Sequence, residues 1–519
     1  HYIATDFGVY HTTDGGQSWR AAGVGLPTVV VNDLAFHQQT GTLAAATFGR
    51  GMFTLDVNAL RANEGLRGSD LDYRYTLATL NPNENGMTQM HIINPGQTTL
   101  DVVLTAFTRD GEVAEEASIQ LGSLQKAAPL VGVLFDANNI SWVQVASAQP
   151  LYVAVETRDS ETNAAWWAAD GRDAVVYMPH VARNTSLFET RLATVNTTGN
   201  SLPHQISANS DGKFIPIASH DKAWSQTNRD IRQWFGLNLD EVAYAQLETP
   251  EGGAASMEYF LTLPQRSRMA ALGLDGKSGT TLRFLHVAVN NQLFWTGMVY
   301  INVGQATTPV TRTFYGNGGE VLLKDFHDLA PGQKITLLRD HNGSEDVPNG
   351  TAWVSIRGDQ QLIGYELFGS ALLGNDDFFA GLQGNYEVSQ VLDYPYFKTD
   401  DTGWTGLVAV NLSDTPQDLT FTVYSGDGQI LEQKTARDVG PGEKLTLLAG
   451  DFFQNEEALA AGSWVRAQGE DGSQWAGFTL WGDHQAATRK HMAGLQAMPG
   501  PESLPLSLEA AGKKFRPGN

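Results

Sequence analysis

Apolar and polar residues alternate along most of this chain in short runs, each closed by Gly, Pro, Asn or Asp. A period of two over such runs predicts half-buried strands, and the punctuation predicts the turns between them. Over the first 57 residues the pattern predicts strands at 1–5, 8–12, 18–22, 29–36, 42–47 and 52–57. Turns fall at Asp14-Gly15-Gly16, Gly25-Leu26-Pro27 and Thr40-Gly41. Residues 58–72 read as a polar connector with a helical turn at 58–63.

Beyond the connector the alternation itself repeats. Trp295-Thr296-Gly297 leading to Asn302 parallels Trp404-Thr405-Gly406 leading to Asn411. Pro331-Gly332-Gln333-Lys334 likewise parallels Pro441-Gly442-Glu443-Lys444. A Thr stands six residues before an Asn four times, as Thr88/Asn94, Thr190/Asn196, Thr296/Asn302 and Thr405/Asn411. The Asn-to-Asn spacings are 102, 106 and 109. In extended chain the positions between them, His91/Ile93, Ala193/Val195, Val299/Ile301 and Val408/Val410, share one face. Three of these pairs are wholly apolar, which predicts a core face. The Asn closes the strand and supports the turn after it. A hairpin glycine follows in every copy, at Gly111, Gly212, Gly318 and Gly428.

These signals divide the chain at 1–57, the connector 58–72, modules at 73–174, 175–279, 280–388 and 389–498, and a tail at 499–519. A module of about 100 residues built from short strands has the size of an immunoglobulin-like β-sandwich. The fold class is therefore all-β, with four immunoglobulin-like sandwich modules after the connector; that residues 1–57 are partial β-propeller blades is what the resemblance of their Thr12–Trp19 motif implies. The second module diverges most, with a helical insertion expected at 227–237 where the other copies carry strands. Tandem modules that touch mainly their sequence neighbours predict an elongated molecule.

Thr12-Thr13-Asp14-Gly15-Gly16-Gln17-Ser18-Trp19 matches the Asp-box pattern S/T-x-D-x-G-x-S/T-W at every fixed position. Asp14 can accept hydrogen bonds from the turn backbone, the glycines permit positive φ, and Trp19 can bury its ring against a blade. Thr12, Asp14, Gly16, Ser18 and Trp19 thus form a structural clip rather than a catalytic set. With the run Leu43 to Phe53, the segment resembles the end of a sialidase-type or sortilin-type β-propeller, also found in some xyloglucan-degrading hydrolases. A blade takes about 40–50 residues, so little more than one fits here. No catalytic carboxylate is carried over from those families, and Asp6, Asp14, Asp33 and Asp56 read as turn residues. The four modules resemble a bacterial secreted module found in tandem arrays. That likeness implies a sandwich fold, a secreted or cell-surface setting and no transferable activity.

Charge narrows the partners. The 34 basic and 57 acidic residues give a net charge of −23, which repels phosphate backbones and anionic lipid. Nucleic acid is not expected as a partner on that ground, and no apolar run is long enough for a membrane helix. The chain has no cysteine, which removes disulfides and thiolate metal sites.

No nucleophile elbow, H-E-x-x-H or P-loop is present, so neither an enzyme nor a bound cofactor is expected. Trp166-Trp167, in the polar stretch 159–173, is the one candidate carbohydrate contact; the alternative is that these rings plug a module junction. Asp376-Asp377 and Asp400-Asp401 have the chemistry for Ca²⁺, but calcium takes six to eight oxygens and no spaced acidic loop surrounds them. His180 and His286 recur at one repeat position and read as structural. Glu366, aligned with Thr479, reads as a surface or edge residue. The expected function is non-catalytic surface display, spacing or adhesion toward an extracellular protein or glycan. The alternatives are a carbohydrate-binding accessory region of a larger propeller hydrolase and a structural subunit of a surface layer or filament.

Overall fold

The computed structural model describes residues 1–6, 8–12, 20–21, 29–37, 40, 42–49, 51–56, 71–80, 87–159, 162–182, 186–210, 213–235, 242–263, 268–288, 294–340, 346–370, 379–484 and 491–501. Of the Asp-box only Thr12 falls among them, and it is buried. Asp14, Gly16, Ser18, Trp19, most of the connector, Gly212, Asp376-Asp377 and the tail beyond 501 lie outside the described residues.

The protein is all-β, built from antiparallel sheets. The N-terminal part contributes two three-stranded sheets. One holds Tyr2–Thr5, Gly8–His11 and Arg20–Ala21; the other holds Val31–His37, Thr42–Thr47 and Gly51–Asp56. Val9, Val31, Leu43 and Ala45 form their small shared core.

From residue 73 onward one eight-strand plan occurs four times. In each unit the fourth, third, sixth and first strands form one sheet in that order. The fifth, second, seventh and eighth form the other. Unit 3 keeps this plan although its sixth and seventh strands run together as Trp353–Ser370, whose two halves serve the two sheets.

The repeated Asn residues hold equivalent places at the ends of the second strands, Met87–Ile93, Phe188–Asn196, Phe294–Asn302 and Gly403–Asn411. Each is buried and ties together the turn after it. Asn302 Nδ2 donates to Ala306 O and Leu329 O, and its Oδ1 accepts from Gly304 N. Asn94, Asn196 and Asn411 repeat this set. Such a buried amide is specified because every polar atom it presents finds a backbone partner.

The arrangement of the units differs from the elongated array expected of tandem modules. The eighth strands, Asn163–Trp167, Met269–Leu274, Phe379–Gln383 and Met492–Gln496, lie against one another in a closed cycle in which the last touches the first. The cause is visible in the second strands, which are buried on both faces as they approach the closing Asn. Alternate residues point into their own unit: Leu192, Met298, Leu407. The others, among them Val195, Val299, Val408 and Ile93, point into the preceding unit, Ile93 of unit 1 packing with Tyr424 and Trp464 of unit 4. The apolar face legible in the sequence is therefore an interface rather than the inner face of a separate sandwich. Burying a Val or Ile contributes about 1.5–3 kcal/mol, so an open array would leave the face of unit 1 exposed at that cost.

A second correction concerns unit 2. Its helix is short, Ile231–Phe235, and follows a fifth strand, Gln226–Asp230, that covers the start of the expected insertion. Helical turns at Val131–Leu134 and at Ala449–Phe452 and Glu456–Ala461 occupy the same link in units 1 and 4. Among the described residues a helical turn in this link is thus shared by units 1, 2 and 4 and is not peculiar to unit 2.

Candidate binding site at the ring axis

The eighth strands bring four residues in equivalent register to the axis: Trp167 opposite Ala154, Gly273 opposite Met257, Gln383 opposite Tyr365 and Gln496 opposite Phe478. Their side chains link the units in sequence. Trp167 Nε1 donates to Gln496 O at 3.1 Å, Gln496 Nε2 to Gln383 O at 2.6 Å, and Gln383 Nε2 to Gly273 O at 2.6 Å. Gly273 completes the circuit by having no side chain, since a Cβ there would fall 2.0 Å from Trp167 O. Among these strands the axis is nearly filled, with about 20 Å³ left, room for one water.

Past this ring the axis opens into a cavity of about 340 Å³. Its walls are the links between units. They carry Asp170, Asp173, Asp275 and Glu387, with Lys277 the one cationic residue of the described lining, and aromatic surface from Tyr75, Trp167, Tyr386 and Trp475. Asp173 Oδ2 accepts from Gly276 N at 2.7 Å, and Lys277 Nζ stands 3.4 Å from Glu387. Burial pushes the Asp275 carboxyl up to about 6; Lys277 opposes the shift, while Asp173 and Glu387 add to it. Asn385 Oδ1 and Gln496 Oε1 are buried without a hydrogen-bond partner. Acceptors beside aromatic faces equip this cavity for a ligand rich in hydrogen-bond donors, such as a polyhydroxylated one.

Of the tryptophan pair, Trp166 is 2% exposed and packs in the core shared by units 1 and 2, so neither face is open to a sugar. Trp167 is half-buried at the junction of units 1 and 4 and lines the axial cavity. Asp400 is exposed and spends its Oδ1 on the backbone of Thr402 and Gly403. Among the described residues no group of three or more His, Asp or Glu is placed to hold a metal ion, and no helix is long and apolar enough to cross a membrane.

Sequence reading missed the polar groups that join the units. The first residue of each fifth strand reaches into the preceding unit. Gln226 Nε2 donates to Ser141 O and Ala78 O of unit 1, Lys334 Nζ to Ala243 O of unit 2, and Lys444 Nζ to Ala352 O of unit 3. Lys126 closes the ring by donating to Pro395 O and Ser463 O of unit 4. Three tryptophans bond the opposite way: Trp142 Nε1 to Trp224 O, Trp353 Nε1 to Gly442 O and Trp464 Nε1 to Leu124 O. The available signal was the lysine shared by Pro331-Gly332-Gln333-Lys334 and Pro441-Gly442-Glu443-Lys444, a charge at the head of an apolar strand.

Glu366 overturns its surface reading. It is fully buried beneath unit 4 and has a structural equivalent in Glu258 of unit 2, as the pairings of Glu366 with Met298 and Glu258 with Leu192 show. Burial pushes the Glu366 carboxyl well above the usual range, against the pull of Lys444 and the backbone N–H groups of His286 and Leu285. Lys444 is in turn pushed down to about 8 by its own burial. His286, against Phe368 and Phe478, is held well below the usual imidazole value by burial and by Lys444. His180 takes the same place in unit 2, where its Nδ1 lies 3.2 Å from Lys334 Nζ.

No protein-family model matches this chain, and no curated protein matches it either.

Proposed function

We propose that this chain is a non-catalytic exported protein, the end of an Asp-box propeller carrying four immunoglobulin-like sandwiches, that serves surface display or adhesion as a rigid platform. The observation that supports this reading most is cyclic closure. Each unit donates a buried or half-buried side chain to the backbone of the one before it, and unit 1 does so to unit 4. A flexible spacer gains reach by leaving its ends apart. A closed ring gives up reach and holds its surface loops in fixed relation, which suits contact with a partner at several points. A carbohydrate-binding role within a larger propeller hydrolase is the second reading, favoured by Trp167 and the acceptor-rich axial cavity.

A glycan and extracellular-matrix array, run beside a reducing-sugar assay on the same polysaccharides, tests both. Retention of a protein ligand, unaffected by Trp167→Ala, is the outcome expected of the display reading. Retention of a glycan that Trp167→Ala abolishes moves the function to the second reading. Sugar release that is lost in Asp275→Asn overturns the non-catalytic assignment.

A further inference from the structure

The fourth strand lies at the edge of its sheet in every unit, as Val113–Leu121, Lys213–Asp221, Val321–Leu329 and Ile430–Val439. An edge strand presents a row of unpaired backbone N–H and C=O groups, and proteins blunt such edges against pairing with another chain. Three of the four are blunted. In unit 1 the strand carries adjacent Glu115 and Glu116, and Glu115 Oε1 accepts from Asp136 N of the link. In unit 2 Pro216 stands within the strand, where it has no N–H to give. In unit 4 the link binds the strand: Lys434 Nζ donates to Phe452 O, and Glu432 accepts from Gln454 N and Asn455 N.

Unit 3 has none of these devices among the described residues. Val321–Leu329 is bonded on one side, to Thr308–Tyr315, in unbroken register from Leu323 to Leu329. Its side chains alternate. Asp325 and His327 point inward, bonding Arg312 and Tyr300. Lys324, Phe326 and Asp328 point the other way and are exposed, Phe326 at 70%.

The sequence of this edge is complementary to itself. Two copies paired antiparallel with Phe326 opposite Phe326 set Lys324 of each opposite Asp328 of the other, Asp325 opposite His327 and Leu323 opposite Leu329. Opposite charges and aromatic pairs across strands favour a register, and like charges directly opposite disfavour it. Centring the pair on Asp325 instead would set that carboxylate against itself.

We propose that this edge is a docking surface for a second copy of the chain, the two Val321–Leu329 strands pairing antiparallel about Phe326 to join the unit 3 sheets across a two-fold axis. Both copies use the same patch, so the assembly stops at a dimer. The surface is independent of the axial cavity and of the display reading.

Sedimentation velocity and light scattering on the full chain, over a range of concentrations, read the mass. The unaltered chain is expected to double its mass as concentration rises. Lys324→Asp and Asp328→Lys should each weaken the dimer about a hundredfold, since both symmetric pairs turn from attraction to repulsion. Both positions are exposed, so the melting temperature of either variant should not move. The double variant Lys324→Asp with Asp328→Lys restores the opposition of charge and should dimerise as the unaltered chain does. Mixing the two single variants should yield a heterodimer, because each supplies the charge the other lacks. If the unaltered chain stays monomeric at every concentration, or if neither single change loosens the dimer it forms, the proposal fails. A dimer that neither the double variant nor the mixture recovers overturns the register about Phe326.

Discussion

The interface between units 1 and 2 and that between units 3 and 4 have one geometry and different charge. In the first, Gln226 reaches across to carbonyl oxygens, and the position matching Glu366 is Val155, set against Met90 as Glu366 is against Met298. In the second, Lys444 makes the reach, and Glu366 and His286 lie buried beside it. Where the lysine is absent, so is the glutamate. The shared requirement is a donor for the carbonyl that precedes the sixth strand. The charge is a local choice that must then be balanced, because an ammonium taken out of water needs compensation an amide does not.

The largest effect should come from removing one partner of the charged set. Lys444→Ala is expected to cost about 3–5 kcal/mol in urea unfolding, since it strands Glu366 and orphans Ala352 O. Gln226→Ala, at the neutral interface, should cost about 1–3 kcal/mol. Equal losses at the two sites would break the comparison.

Next is the exchange that makes one interface into the other. The double variant Lys444→Gln with Glu366→Val reproduces the pairing of units 1 and 2. It is expected within about 1 kcal/mol of the parent, while each single change costs about 2–4 kcal/mol. Additive losses in the cycle would show that the two residues do not act together.

The smallest effect separates the axis from both interfaces. The Asp275 carboxyl is held at about 6 in the folded ring, against about 3.9 when unfolded. The folded state then binds the proton more tightly, so the cost of the buried charge is fully present above about pH 6 and is relieved as pH falls toward 4. Asp275→Asn should therefore stabilise by about 1 kcal/mol at pH 7.5, a value reduced for partial exposure to water, and by nothing at pH 4. Thermal melts across that range read it directly. A gain that persists at pH 4 would assign it to something other than charge.

Much of the fold was legible because its signals are local. Thr296 and Asn302 lie on one nine-residue strand, and the partners of Asn302 sit in the turns that Ala306 and Leu329 border. The candidate sites were far less legible. Trp167 drew attention as an aromatic in a polar stretch, but its neighbours Gln496 and Asp275 lie far away along the chain. Glu366 was misread because a charged residue facing its neighbour's core looks, in one strand, like a charged residue facing water. The aligned Thr479 concealed the true counterpart, Glu258, in the most divergent copy.

Alone, the sequence showed a succession of short strands, a plan that recurs four times, and an Asn that closes a strand in each copy; the burial of that Asn and its place on the second strand came from the fold. Alternation, turn residues and repeat spacing act over a few residues and survive without knowledge of the rest. Only the tertiary structure decided that the copies close into a ring, that the shared apolar face is an interface, and that an axial cavity opens among them. Closure depends on the rotation from one unit to the next and on whether the last face meets the first, and neither quantity is written in any single strand.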